Sequence, residues 1–118
     1  MKKKFILIMF LMLSCILKGN YVFTTDGKDN FDKLSKSVWR NRLEKAEIKK
    51  IKNNWHLILG GEELKIYSLN NGIFYVNNPY LNEKDYYGYN VETDELWRLE
   101  QCDEGWCNSD VAFERFEK

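Results

Sequence analysis

The fold class is decided by residues 55–66, which read WHLILGGEELKI. From Trp55 to Leu59, large apolar side chains recur with a period of two, as they do along the inward face of a β-strand. Gly60-Gly61 supplies the backbone freedom of a tight turn. The period of two returns from Leu64 to Ser68. These residues therefore predict two antiparallel strands joined by a hairpin.

Similar segments follow toward the C terminus. Asn70-Asn71-Gly72 accepts positive φ angles and predicts a second hairpin turn. Further strands are predicted at residues 73–76, 86–91 and 96–101. The last segment, residues 111–116, is predicted as a strand or as a short helix.

The segment before these strands predicts one helix. From Phe31 to Ala46, apolar residues fall three or four positions apart on two neighbouring stripes, and Asp29 or Asn30 can cap the start. The pattern breaks near Glu47, so the helix should end around residues 46–50. The predicted fold class is α+β, with one N-terminal helix followed by an antiparallel β-meander of about five strands.

The N terminus has the layout of a bacterial secretory signal. Lys2–Lys4 precede an apolar run from Phe5 to Leu13 and the small residue Ser14. The apolar residues continue to Leu17, which makes about 13 and falls short of the roughly 20 that a membrane-spanning helix needs. We predict a signal peptide at residues 1–14, with ordinary cleavage or an uncleaved anchor as alternatives to the lipoprotein type.

The end of this signal resembles the lipobox of bacterial lipoproteins. Residues 11–15 read LMLSC, with Met12 where the family prefers leucine. The resemblance implies that Cys15 becomes the lipidated first residue of the mature protein. It also implies a location in the bacterial cell envelope, facing the periplasm and lipid-anchored to a membrane. Residues 15–28 would then form a lipidated tether, and residues 29–118 a single domain.

The charge balance excludes one class of partner. The full chain carries 18 basic and 18 acidic residues, and removal of the signal takes away three lysines and no acid, which leaves a charge of about −3. Nucleic-acid-binding proteins need a basic surplus for the phosphate backbone. We therefore expect no nucleic-acid partner.

The cysteine count agrees with export. If Cys15 carries lipid, Cys102 and Cys107 remain as an even pair in an oxidising compartment. We predict a disulfide between them, with free thiols or a metal site as alternatives. A metal site would need two more ligands, whereas the chain has one histidine, His56, so no metal is expected.

Residues that could carry catalysis are sparse. His56 lies in an apolar strand, Gly60-Gly61 lacks the lysine and hydroxyl of phosphate-binding loops, and no serine lies in a nucleophile elbow. We predict no catalytic residues, no cofactor and no enzyme activity.

Aromatic residues are dense after residue 74, and acidic residues lie among them. Tyrosine and tryptophan favour binding surfaces, and acids attract basic partners. The alternative is that these rings form one face of a half-exposed sheet. The predicted surface for a protein partner consists of Tyr87, Tyr89, Trp97, Asp103, Glu104 and Trp106.

Two short stretches resemble the C-terminal part of colicin M-type immunity proteins. They are Tyr86-Tyr87-Gly88-Tyr89 and Cys102-Asp103-Glu104-Gly105-Trp106. The resemblance implies an antiparallel sheet, an inner-membrane anchor and neutralisation of a toxin that attacks the lipid carrier of cell-wall synthesis. Both domain cysteines lie near the C terminus here, whereas the family is expected to place one near the start of its domain.

Two classes of function follow. The first is a membrane-tethered periplasmic binding protein that neutralises or excludes an incoming protein, such as a toxin, a lysozyme or a component of a phage or plasmid. The alternative is a structural or assembly lipoprotein of an envelope machine.

Overall fold

The computed structural model describes residues 22–103 and 105–117, which form one antiparallel sheet of nine strands and one short helix. The predicted signal peptide, residues 15–21 of the predicted tether and the predicted lipidation site Cys15 lie outside the described residues, as do Glu104 and Lys118.

The helix α1 covers Phe31–Leu34, and the strands are β1 (Val38–Arg40), β2 (Lys45–Ile51), β3 (Asn54–Leu59), β4 (Glu62–Lys65), β5 (Tyr67–Ser68), β6 (Ile73–Asn77), β7 (Lys84–Asn90), β8 (Glu95–Cys102) and β9 (Gly105–Glu117). Neighbouring strands follow the order β4-β3-β2-β1-β9-β8-β7-β6-β5. The two ends of this order, β4 and β5, are consecutive in the chain and separated only by Ile66. The sheet therefore curls until its two ends meet.

The predicted α+β class is wrong. The described helix has four residues, and the rest of the predicted helix forms β1, a turn and β2. Trp39 and Ala46, placed on one helical stripe by the sequence, pair across β1 and β2 instead. Leu43, also expected on a buried stripe, is 91% exposed.

Local hydrogen bonds explain why the helix stops. The indole Nε1 of Trp39 donates to the carbonyl oxygen of Leu34 at 3.0 Å, so that carbonyl is satisfied without another helical turn. The Asn41 side chain accepts from the backbone N–H groups of Leu43 and Glu44 at 2.8 and 2.7 Å. Asparagine forms such turns readily, and here it reverses the chain between β1 and β2.

The strands predicted from the period of two are present. They correspond to β3, β4, β6, β7 and β8, and residues 111–116 belong to strand β9 rather than to a helix. Alternate residues of these strands share one face of the curled sheet, which holds the main core, and α1 packs against it. This core contains Phe31, Leu34, Trp39, Ala46, Ile48, Leu57, Ile66, Phe74, Val76, Tyr87, Tyr89, Leu96 and Phe113.

A second, smaller cluster lies on the outer face of the sheet. It consists of Phe23, Ile73 and Leu99, with Tyr86, Trp97 and Trp106 packed against them. Phe23 belongs to the segment that precedes α1, and its N–H donates to the carbonyl oxygen of Trp106 at 2.8 Å. The adjacent Val22 forms a bridge to Cys107 on β9. The chain therefore enters the fold along the first half of β9.

The ring of Phe23 lies directly on Gly88. A Cβ atom at Gly88 would be 2.5 and 2.6 Å from two carbons of that ring and 3.0 Å from Leu99 Cδ1. Only glycine leaves room for the aromatic ring at this position. This contact explains the glycine within the Tyr-Tyr-Gly-Tyr stretch by packing alone.

A charged network joins Asp94, in the turn between β7 and β8, to Arg115 on β9. Arg115 donates from Nε to Asp94 Oδ2 at 2.7 Å and from Nη2 to Oδ1 at 2.8 Å. The hydroxyl of Tyr89 donates to the same carboxylate at 2.6 Å, and Arg115 Nη1 donates to Ser37 Oγ. These bonds, first of all that from Arg115, lower the pKa of Asp94 to about 2.

We expect Gly88→Ala to lower the free energy of unfolding by about 1–3 kcal/mol, because an added methyl group must displace the Phe23 ring. Urea denaturation of the purified chain measures the change. The double variant Phe23→Ala/Gly88→Ala should lose less than the sum of the two single losses. Additive losses would mean that the two residues do not share this contact.

Asp94→Asn should remove part of the acid sensitivity of the fold. The folded-state pKa of about 2 lies below the ordinary value of 3.8, so Asp94 stabilises the fold above pH 4 and loses this contribution as pH falls through about 2. The pair is partly exposed, so we expect a loss of about 1 kcal/mol at pH 7. Unfolding free energies from pH 2 to 7 test this, with the exposed Glu92→Gln as control. An unchanged slope between pH 2 and 4 in Asp94→Asn would contradict it.

Candidate functional site

Two of the predicted partner-binding residues contribute to the main core. Tyr87 and Tyr89 lie on β7, and they are 2% and 3% exposed. The ring of Tyr87 stacks on Phe74 at 5.7 Å, and that of Tyr89 meets Trp39 edge-on at 5.7 Å. Burial raises the pKa of the Tyr87 phenol to about 12, so this hydroxyl stays neutral at physiological pH. Neither ring is presented to a partner as a flat surface.

The remaining predicted residues are divided between two places. Trp97 and Trp106 belong to the outer cluster, where the Trp106 ring lies 4.6 Å from that of Tyr86. Asp103 is exposed in the turn between β8 and β9, and Glu104 lies outside the described residues. The structure therefore does not gather the six predicted residues on one surface.

The predicted disulfide between Cys102 and Cys107 is confirmed. It joins neighbouring strands, with the two Cα atoms 6.0 Å apart. Cys102 pairs with Gly105 and Cys107 with Glu100, so the bond crosses the β8–β9 hairpin diagonally. It fixes the part of β9 that receives Val22.

Residues 22–103 and 105–117 contain neither a metal-binding cluster nor a membrane-spanning helix. In these ranges no three His, Cys, Asp or Glu residues are grouped so that they could hold a metal ion. No helix there is long and apolar enough to cross a membrane. His56 lies on β3, and its Nδ1 is 3.1 Å from the carbonyl oxygen of Asn54.

An open groove, called the notch, lies beside the part of β9 that extends past the end of β1 at Arg40. β1 pairs with β9 only from Glu114 to Glu117, because the Asn41 turn ends β1 after three residues. Val22 pairs at Cys107. Among the described residues, the edge of β9 from residue 109 to residue 113 has no partner strand on that side.

A bulge on the other side of β9 shapes the same region. Trp97 pairs with Ala112 and Leu99 with Asn108, so that residues 109–111 all face Arg98. Such bulges bend a strand and are frequent beside functional sites. Asp110 and Val111 belong to this bulge, and both line the notch.

The notch has a volume of about 970 Å³ and an excess of negative charge. In the described part of the chain, none of its carboxylates forms an ion pair. Its charged side chains are the acids Glu44, Glu95, Asp110 and Glu114 and the bases Arg40 and Arg42.

Apolar side chains are exposed along the same groove. Leu43 is at the tip of the β1–β2 turn, almost fully in solvent, and Phe116 on β9 is mostly exposed. The guanidinium of Arg40 lies 4.3 Å above the Phe116 ring. Exposed apolar groups beside unpaired charges are the usual composition of a protein-binding surface.

A narrower cleft of about 300 Å³, called the end cleft, continues from the notch into one end of the curled sheet. The two share Glu44 and Val111. In the end cleft, Arg98 Nη2 donates to Asp85 Oδ1 at 3.0 Å, and Asn78 Nδ2 donates to Asp85 Oδ2 at 3.1 Å. The Asp85 carboxylate is therefore held by two partners.

The sequence did not reveal the notch or the end cleft. Leu43 and Glu44 are predicted on the helix, Phe116 on a last strand or short helix, and Asp110 just before that last segment. The one available signal was Asn41, since asparagine favours turns over helix interiors. The sequence predicts Tyr87 as a partner-binding residue, but its ring is buried, and only its hydroxyl end lies toward the end cleft.

No protein-family model, curated protein or solved structure matches the chain. The resemblance to colicin M-type immunity proteins therefore depends on residues 86–89 and 102–106 alone and stays a prediction. These two stretches meet in the fold, since Tyr86 packs against Trp106.

We expect Trp106→Ala to lower the free energy of unfolding by about 2 kcal/mol, because Tyr86 and Phe23 lose their shared neighbour. Urea denaturation measures this, and Asp103→Ala in the adjacent turn is the control, for which no loss is expected. If Trp106→Ala instead keeps its stability and loses binding to a partner, Trp106 is the partner anchor that the sequence predicted.

Proposed function

We propose that this chain is a bacterial envelope protein, lipid-anchored at Cys15 and facing the periplasm, that binds and neutralises an incoming protein. The observation that carries the proposal is the notch, because it combines carboxylates that form no ion pair within the described residues with exposed Leu43 and Phe116. A basic partner would be attracted by the charge and held by the apolar side chains.

The export part of the proposal is supported by the signal-like N terminus and by the Cys102–Cys107 disulfide. Disulfides persist in oxidising compartments such as the periplasm. Six residues lie between Cys15 and Val22, so the anchor would keep Val22 within about 25 Å of the membrane. A partner bound at the notch would then be held close to the membrane.

The position of the anchor also supports a role against incoming proteins. The chain enters the fold beside β9, and β9 forms one wall of the notch. Val22, where the described chain begins, and the notch therefore both border β9, whose hairpin with β8 is closed by a disulfide. Little conformational freedom is lost when such a surface binds, which favours affinity.

Cells that express the chain should survive at least about a tenfold higher dose of a periplasm-acting protein toxin. The probes are a purified colicin M-type toxin and, after permeabilisation of the outer membrane, lysozyme. Leu43→Asp combined with Asp110→Lys should abolish most of this protection, because the first removes an apolar anchor and the second reverses a charge of the notch.

Two control variants sharpen the test. Val91→Asp likewise replaces an apolar side chain by aspartate, at a residue that is 38% exposed in the turn after β7 and outside the notch, and should keep full protection. Cys15→Ala should lose lipid labelling and, with it, protection. Protection against neither toxin, or equal losses in Leu43→Asp and Val91→Asp, would contradict the proposal.

A further inference from the structure

The hydroxyl of Tyr87 is the starting point. Tyr87 is 2% exposed, its ring is stacked on Phe74, and its hydroxyl end lines the end cleft. Among residues 22–103 and 105–117, this hydroxyl has no hydrogen-bond partner. The hydroxyl oxygen is not fully buried, so water in the end cleft reaches it, and a ligand bound in the cleft would take the place of that water.

Charged groups around this hydroxyl decide which ligand fits. The cleft is lined by the carboxylates of Glu44, Glu62 and Asp85 and by one guanidinium, that of Arg98. Arg98 is paired with Asp85, and the Tyr80 hydroxyl donates to Glu62 at 2.6 Å. Glu44 is the carboxylate with no side-chain partner in the described ranges. The cleft therefore keeps a negative excess, centred on Glu44.

We infer that the end cleft binds an alkylammonium group, and that its natural source is a lysine side chain of the protein held in the notch. The inference deepens the proposed function and rests on it for the identity of the partner. The ammonium donates one hydrogen bond to the Glu44 carboxylate and one to the Tyr87 oxygen. The methylene groups of the lysine pass Val111, which is common to the notch and the cleft.

The size and shape of the site agree with this occupant. A volume of about 300 Å³ is at the lower end of ligand pockets and suits one long side chain rather than a whole cofactor. The apolar residues Leu59, Leu64 and Val111 line the cleft together with the polar groups, so a flexible apolar stem with a charged end matches both.

Binding of Nα-acetyl-lysine amide to the full chain, solubilised in detergent, tests the site. Backbone amide signals of Glu44 and Tyr87 should shift in a saturable way in two-dimensional NMR spectra. Tyr87→Phe removes only the hydroxyl, and Glu44→Gln removes only the charge. Each should weaken the binding at least about fivefold. Tyr67→Phe, on the outer face of β5, is the matched control and should bind as the parent does.

The uncharged analogue Nα-acetyl-norleucine amide separates charge recognition from apolar contact and should not bind. Equal binding of the two amides, unchanged binding in Tyr87→Phe, or no saturable shift with the lysine amide would each overturn the inference. The outcome is independent of the toxin assay. Binding of the lysine amide without protection would support the alkylammonium site and contradict the proposed function. Protection without binding of the lysine amide would support the proposed function and overturn the alkylammonium site.

Discussion

The fold depends on one bend in the chain, at Ile66. β4 pairs with β3 and β5 pairs with β6, so the seven residues from Glu62 to Ser68 belong to both ends of the sheet. Ile66 is buried at the bend, and its N–H donates to the carbonyl oxygen of Trp55 at 2.9 Å. Because this short segment cannot be in two distant places, the sheet must curl around its own apolar face. An open sheet of the same strands would leave that face in water.

The curl has a consequence for the ends of the structure. Strands of unequal length cannot close evenly, and the three-residue β1 lies beside the thirteen-residue β9. The unmatched part of β9 becomes one wall of the notch, and the end cleft opens beside it. The candidate site is therefore a product of the way the sheet closes.

The outer cluster gives the N-terminal segment a fixed place. Phe23 covers Gly88, and Val22 pairs with the disulfide-bonded Cys107. These contacts hold the segment that begins at Val22 against β9, the strand that borders the notch. The proposed membrane anchor would precede this segment. Several aromatic residues that look surplus in the sequence are used in this way, to cover a second face of the sheet.

The sequence by itself determined the local features: the strands from Trp55 onward, the turns around Gly60 and Gly72, and the even pair of cysteines that forms the disulfide. These depend on a period of two and on turn chemistry, which neighbouring residues express without the rest of the chain. Only the tertiary structure decided that Trp39 and Ala46 are strand residues, because their spacing fits a helical stripe as well as a hairpin pair. It also decided that the Tyr87 ring is buried while its hydroxyl lies near Glu44, since 43 positions separate these residues in the sequence and the curl of the sheet brings them together.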